Sequence, residues 1–344
     1  MTAQSPIQIA ALTGGLKTAS TRFRVRQYIQ PLSRFGITVT EYIPRWGESC
    51  GLPSPFKMAA RIPALFQSRR ADLIWLSREL VQGYATFERL LKRPRILDVD
   101  DAIWLRPPLG RLGQPWVARG MDAVIAGNDY LADYYSRYCR SIFVVPTGID
   151  TRRFTPKPAS DNPEQPFVIG WTGSRSNHKY LQMIEPALER FLKAHPDSRF
   201  LIISNGLWKP EHIPPDRIEF HFWNPNDETR LLHRMSVGLM PLADDPWTRG
   251  KCSFKMLQYM ASGLPAVVSP VGMNKQVLAK GPAALAARTI DEWVEALETL
   301  SRNPSLRQSM GQTGRRIIEE FFSVEILSER LAEIFRLVLG GGKC

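Results

Sequence analysis

The sequence predicts an α/β protein built from two Rossmann-like domains, and three observations carry that prediction. Strand-like apolar runs alternate with helical stretches, and the alternation starts afresh midway through the chain. A proline-spaced stretch, TPKPASDNPEQP (155–166), separates the two series. With 344 residues, each half is long enough to bury its own core. Alternating strands and helices imply parallel sheets with helices on both faces. The division read from the sequence is a domain over 1–155, a linker over 156–166, a second domain over 167–322 and a last helical segment over 323–344.

In chain order, Ile7 to Leu12 is the first strand, followed by the loop TGGLKTAS and a helix from about Thr21 to Phe35. Val25, Ile29 and Leu32 form its inner stripe, Gly36 ends it, and Pro31 is expected to kink it. Strands follow at 37–43, 72–76, 95–99, 122–126 and 141–145. The second half opens with a strand at 167–171 and a helix over about 179–194. Strands at 199–203 and 218–222, a helix around 228–235 and a strand at 237–242 come next. A helix from about Ser253 reaches Gly263, placed for a left-handed C-cap, and Ala266-Val267-Val268 is a short buried strand. Helices over about 290–301, 304–321 and 323–339 complete the chain.

Charge is unevenly placed. Residues 1–157 carry 23 Lys and Arg against 12 Asp and Glu, a net of +11, while residues 158–344 come to only +1. Such asymmetry points to an anionic partner: nucleic acid, a membrane surface or a charged substrate. No run of 18 apolar residues is present, and the first residues lack the basic and apolar regions of a signal peptide. Four scattered cysteines without metal-ligand spacing fit a reducing, cytoplasmic setting and no structural zinc.

The segment GKCSFKMLQYMASGLPAVVSPVGMN (250–274) is the most specific. On a helix Lys251, Lys255 and Gln258 share one stripe, beside a core-facing stripe of Phe254, Leu257 and Ala261. Two ammonium groups near a helix N-terminus make a seat for a diphosphate. The plainer reading is an amphipathic helix with solvated lysines. The segment resembles the donor-binding signature of GT-B glycosyltransferases, especially the family 4 (group 1) enzymes. That resemblance implies two Rossmann-like domains facing each other across a cleft, with Lys255 at the phosphate position and Gln258 where a carboxylate usually holds the ribose. It also implies that Cys252 and Ser253 belong to the donor site.

The resemblance extends to other loops. IGWTGSRSNHKYL (169–181) sits where the family carries a Gly-Arg-Leu-x-x-x-Lys-Gly run. Gly173 and Lys179 keep its spacing, and Ser174 stands at the arginine position. Thr172, Gly173 and Ser174 are expected to offer backbone donors to the diphosphate, with Lys179 adding charge. Trp223 lies where the family binds the base, and Gly15, after the first strand, borders the donor phosphate or the acceptor. VPTGIDTRRF (145–154) matches the run that leads out of the first domain.

In the first domain, LDVDDAIW (97–104) brings three carboxylates to the end of a strand, a repulsive arrangement unless cations or donors compensate. Asp100 or Asp101 is the candidate to orient an acceptor hydroxyl or act as its base, against the alternative of a capping role. Arg22 and Asn128 are candidate acceptor contacts. One departure concerns the family's Glu-x7-Glu pair, whose positions here are Gly250 and Gln258.

These residues predict transfer of a sugar from a nucleotide diphosphate sugar to a hydroxyl of a glycan, lipid-linked or polysaccharide acceptor. The resemblance implies retention at the anomeric carbon. No metal or other cofactor is expected, since lysines and a helix terminus would balance the leaving diphosphate. The chain is placed in the cytoplasm, as a peripheral protein at the inner membrane face, with the last helix crossing back to the first domain. A nucleotide-sugar-binding protein without turnover and a nucleic-acid binder are the alternatives. The second would show steep salt dependence.

Overall fold

The computed structural model describes residues 6–15, 18–44, 54–158 and 166–341. Leu16 and Lys17 of the first loop, Cys50, residues 159–165 of the proline-spaced stretch and Cys344 lie outside the described residues. The chain forms two compact units. One comprises 1–148, 249–252 and 323–344, and the other 149–248 and 253–322. The contacts thus divide the chain at Gly148 and Ile149, ahead of the prolines, and give the short segment 249–252 to the first unit.

The first unit is a six-stranded parallel sheet of β1 (Ile7–Leu12), β2 (Ile37–Tyr42), β3 (Leu73–Ser77), β4 (Arg95–Val99), β5 (Ala123–Ala126) and β6 (Ile142–Val144). Its order is β2-β1-β3-β4-β5-β6, with the change of direction between β1 and β3. Strands β3, β4 and β5 are buried along their whole length, as a sheet covered on both faces requires. On one face Val25, Tyr28 and Leu32 pack with Leu327, Leu331 and Phe335 of the helix Val324–Leu339.

The second unit holds β7 (Val168–Gly173), β8 (Arg199–Ser204), β9 (Ile218–Phe222), β10 (Val237–Met240), β11 (Ala266–Val268) and β12 (Ala284–Ala286). The order β12-β11-β10-β7-β8-β9, again all parallel, is the dinucleotide-fold arrangement with its switch point between β7 and β10. The helix His178–Ala194 buries Leu181, Ile184, Leu188 and Phe191 against this sheet.

Some elements differ from the sequence reading for identifiable reasons. The first helix is π-helical over Thr21–Arg26 and α-helical only over Gln27–Ser33, so the irregularity lies ahead of Pro31. Its wider turn takes Arg22 and Arg26 out of α-helical register. β5 stops at Ala126 as read, and Asn128 caps a helix over Asp129–Tyr135 that the sequence reading did not name. A helix at Gly110–Ala118 was obscured by its own Gly113 and Pro115. Short helices at Ser54–Ala59, Ile62–Gln67 and Met273–Leu278 have too few turns to show a period.

Candidate functional site

In the second unit, the ladder between β7 and β10 pairs only Ile169 with Val237 and Gly170 with Gly238, so the strands part beyond these residues. Tyr259 spans the opening. Its hydroxyl accepts the Thr172 N–H (3.0 Å) and donates to the Leu239 carbonyl (3.1 Å). Tyr259 is fully buried, and burial pushes its phenol well above the usual range. Nothing in the sequence reading singled it out. The signal was available: an aromatic one turn before the C-cap of a helix that crosses a switch point.

Tyr259 belongs to the helix Phe254–Ala261, which ends in a Schellman motif. The Leu264 N–H reaches the Tyr259 carbonyl (2.9 Å), the Gly263 N–H reaches that of Met260 (3.0 Å), and Gly263 has φ +68°. At the other end Ser253 adopts φ +52°, left-handed for a residue with a side chain. Its hydroxyl donates to Asn274 Oδ1 (2.7 Å), Asn274 Nδ2 donates to the Ser269 carbonyl (2.9 Å), and Ser269 Oγ accepts the Leu242 N–H (3.0 Å). The relay ties the helix start to the carboxyl ends of β10 and β11. Because the helix begins at Phe254, Lys251 lies outside it, and the stripe predicted to join Lys251 to Lys255 and Gln258 is corrected to the last two.

Lys255 lies at the switch point itself. Its ammonium is 5.6 Å from the centre of the Trp171 ring, and its Cε occupies space beside Gly173 that a Cβ there would enter at 2.6 Å. The glycine keeps the end of β7 open to the lysine. Ser174 Oγ accepts from Asn177 Nδ2 (2.8 Å), and a 3-10 turn over Arg175–Asn177 precedes the helix at His178. His178 Nε2 meets Ser204 Oγ at 2.9 Å at the end of β8; burial, then Arg175, lowers its pKa. Lys179 is exposed, its ammonium 5.0 Å from the Tyr180 ring. Of the three backbone donors expected from this loop, the Thr172 N–H is already engaged by Tyr259, which corrects its assignment.

Gln258 is buried and donates Nε2 to Glu228 Oε1 (3.0 Å). Glu228, also buried, accepts from Trp223 Nε1 (3.0 Å) and from Arg153 Nη2 (2.7 Å). Glu228 has only acceptor oxygens when ionised, so the Gln258 amide must face it with nitrogen and direct its oxygen elsewhere. Trp223, half-buried, is held through its indole N–H. The sequence reading missed Glu228, which stands 30 residues from its partner.

The first unit answers how three carboxylates tolerate one another. Asp98 is buried, with Oδ1 2.8 Å from Arg24 Nε and Oδ2 3.1 Å from Trp75 Nε1. Arg24 also donates to the Val145 carbonyl (2.8 Å). Burial opposes the Arg24 charge, but Asp98 together with its other neighbours outweighs it and keeps the guanidinium charged. Asp100 and Asp101 both bind Arg78, at 2.6 and 2.7 Å, and Arg106 stands 3.5 Å from Asp101. Arg78 follows β3 at the switch point with φ +64°, its N–H held by the Asp98 carbonyl. Burial raises the Asp100 pKa, but Arg78 more than offsets this and holds it below the usual range. A carboxylate so held accepts hydrogen bonds well and proton transfer poorly.

Asn128 does not present its side chain to a ligand. Oδ1 caps the helix at Leu131 N–H (3.0 Å), and Nδ2 donates to the Lys251 carbonyl (3.1 Å), which corrects its reading as an acceptor contact. Cys252 packs within the same unit, its thiol 3.3 Å from the Asp100 carbonyl and pushed up to about 12 by burial, so it is a neutral packing group. Gly250 lies on the backbone of Ala102; a Cβ would come within 2.8 Å of its N and Cβ. No glutamate fits that position here. Gly15 is buried with φ +144°, and Arg22 sits 4.9 Å from the centre of the Phe23 ring. Beside the carboxyl end of β2, a recess of about 430 Å³ is lined by Glu41, Tyr42, Pro63 and Gln67.

Two parallel Rossmann-type sheets with a cationic switch point in the second define the class: the fold is that of the GT-B glycosyltransferases. Sucrose-phosphate synthase from Thermosynechococcus elongatus superposes with a TM-score of 0.75 at 12% identity, covering 98% of this chain and all of that one. HepE of Anabaena, in complex with UDP and glucose, gives 0.70 at 14%, covering 96% and 99%. Residues 166–303 match the family described as glycosyl transferases group 1. A mannosyltransferase of Corynebacterium glutamicum, described as GDP-mannose-dependent and acting on a monoacylated phosphatidylinositol monomannoside, is 22% identical over 91% of this chain and 89% of its own length. An MMP α-(1→4)-mannosyltransferase of Mycolicibacterium hassiacum is 23% identical over 87% of this chain and 78% of its own. The chain is a glycosyltransferase of GT-B fold whose residues 166–303 match the group 1 family.

Proposed function

We propose that the chain transfers a hexose from a nucleoside diphosphate sugar to a hydroxyl of a lipid-linked or envelope-glycan acceptor, with retention and without a required metal. The observation that carries the donor assignment is Lys255, set against Gly173 and Trp171 where β7 and β10 part. Ligands of such sheets bind beyond the carboxyl ends of strands at the switch point. An ammonium beside the first turn of the 254–261 helix suits a diphosphate and the negative charge that grows on it as the sugar leaves. The UDP complex of HepE and the two mannosyltransferase relatives support a nucleotide-sugar donor. The phosphatidylinositol-linked substrate in one relative's name supports a lipid-linked acceptor at an anionic membrane surface.

Lys179 and Ser174 add charge and polar contacts to the donor in this reading, and the Gln258 amide oxygen accepts from the ribose. Trp223 flanks the base. On the first unit, Asp101 orients the acceptor hydroxyl, and Gly15 after β1 and Arg22 in the first helix add acceptor contacts.

The test is a thermal-shift series with UDP, GDP, CDP, ADP and dTDP, with and without Mg²⁺, on the wild type and Lys255→Ala. A ligand at 100 times its Kd adds about 2.7 kcal/mol of stability. The expected result is stabilisation by one diphosphate, indifferent to Mg²⁺ and lost in the variant. No shift with any nucleotide would sink the donor assignment. Gly250, in place of a carboxylate, favours one second reading, a chain that binds donor without turnover. Transfer or donor hydrolysis, with GDP-mannose assayed first, decides against it.

A further inference from the structure

Eight of the fifteen large hydrophobic side chains exposed among the described residues fall between Ile43 and Trp116, all in the first unit. They cluster on its connections. Phe56 (56% exposed), Ile62 and Phe66 (59%) lie on the two short helices between β2 and β3. Leu90 (68%) follows β3, and Leu112 (76%) and Trp116 lie one turn apart on the helix Gly110–Ala118 between β4 and β5. From β2 onward each strand is placed further along the sheet in the same direction. Right-handed crossovers therefore lay all these connections on one side of it. The helices over 21–33 and 324–339 take the opposite side.

Most of the charges beside these side chains are basic. Between Ser54 and Ala71 the chain carries Lys57, Arg69 and Arg70 besides Arg61, which is buried on the Leu80 and Thr13 carbonyls, and no acidic residue; between Ala102 and Met121 it carries Arg111 and Arg119 besides Arg106, which faces Asp101, and again none. Arginine also sits on the exposed rings. The Arg69 guanidinium is 5.0 Å from the centre of Phe66, and that of Arg89 is 4.5 Å from Trp116 while its Nε donates to the Trp116 carbonyl (3.2 Å). Exposed apolar tips flanked by cations and including Trp116 match the two contributions to interfacial binding, buried apolar area and attraction to anionic headgroups.

We propose that this side of the first unit, centred on Leu112 and Trp116 with Leu90, Phe66 and Ile62, docks on an anionic lipid bilayer. The proposal names the membrane partner of the transferase reading above and rests on it for its purpose, though not for its test. Each apolar tip enters the headgroup–acyl boundary, and Arg111 and Arg119 meet lipid phosphates. The recess walled by Pro63 and Gln67 then lies on the same helix as the lipid-facing Ile62 and Phe66, within reach of an acceptor that stays in the bilayer.

The experiment is co-sedimentation of the full chain with vesicles of phosphatidylcholine alone and of phosphatidylcholine with phosphatidylglycerol, at 0.1 and 0.5 M NaCl. The variants are Leu112→Ser/Trp116→Ser and Arg111→Gln/Arg119→Gln, each also carried through the diphosphate thermal-shift assay. The wild type should partition to anionic vesicles. The apolar pair should lose at least about tenfold, and the arginine pair about fivefold per charge. Both variants should keep the wild-type response to nucleotide, which reports that they are folded. Equal partitioning to both vesicle types, or unchanged binding by the apolar pair, overturns the proposal. Absence of vesicle binding together with dimers that the Leu112→Ser/Trp116→Ser variant abolishes also overturns it and assigns the face to a second copy. Vesicle binding without any nucleotide response leaves the surface standing and fails the donor assignment; the converse fails the surface alone.

Discussion

Gly173→Ala isolates the geometry on which the donor assignment depends. A Cβ at this position would lie 2.6 Å from Lys255 Cε and 2.7 Å from Cζ2 and Cη2 of Trp171. Carbon atoms attract best at about 3.5–4.0 Å, so one neighbour must retreat by about an ångström. Trp171 is 1% exposed within β7 and packed on all sides, whereas Lys255 is half-buried on a flexible stem. The lysine should therefore yield, swinging its ammonium away from the end of β7. If part of the strain stays on the indole, overpacking costs about 1–3 kcal/mol, or roughly 2–4 °C of Tm per kcal/mol in a domain of this size. Loss of a charge-assisted contact worth about 1.5–3 kcal/mol predicts a diphosphate Kd weaker by roughly 10- to 150-fold. Calorimetric titration on Gly173→Ala, Lys255→Met and the double variant measures this. The double variant should bind no more weakly than Lys255→Met, because both remove the same contact. Wild-type affinity in Gly173→Ala, or losses that add in the double variant, would refute the reasoning.

Gly250→Glu, which restores the family's residue, should lower Tm and fail to raise turnover, since its Cβ meets the Ala102 backbone; a faster enzyme of unchanged Tm would contradict the packing described. Tyr259→Phe strands the Thr172 N–H and the Leu239 carbonyl, at about 1–3 kcal/mol, and hydrogen exchange at Thr172 should accelerate. Arg24→Met leaves Asp98 buried without its cation, at about 3–5 kcal/mol near neutral pH. Burial already raises the Asp98 pKa, and loss of Arg24 raises it further. The variant's deficit should therefore be full above that pKa and shrink as pH falls and the carboxyl protonates. Denaturation midpoints that show a deficit growing on acidification would oppose this account.

Much of the fold was legible because its determinants are local. Apolar strands buried on both faces announce themselves as runs, and β4 and β11 occupy the residues read for them, as do β1 and the half-buried edge strand β9. Gly263 signalled its left-handed C-cap because few other residues adopt that conformation at low cost. Lys255 was expected at the phosphate position by resemblance alone, and its place at the switch point is what the structure adds. Helices of one or two turns were not legible, since they show no period, and neither was a helix whose glycine and proline argue against it, as over 110–118.

What the sequence by itself determined was two α/β units, a basic first half and a cationic segment at 250–274. What only the tertiary structure decided was which of those charges are already engaged. Asp98 meets Arg24 across 74 residues of chain, Gln258 meets Glu228 across 30, and the Tyr259 hydroxyl joins two strands that part at the switch point. Each contact depends on strand order, which periodicity does not encode. The hydrogen-bonding needs of a buried charge are set by its neighbours in space. The residues it will engage can therefore be named only once the sheets are assembled.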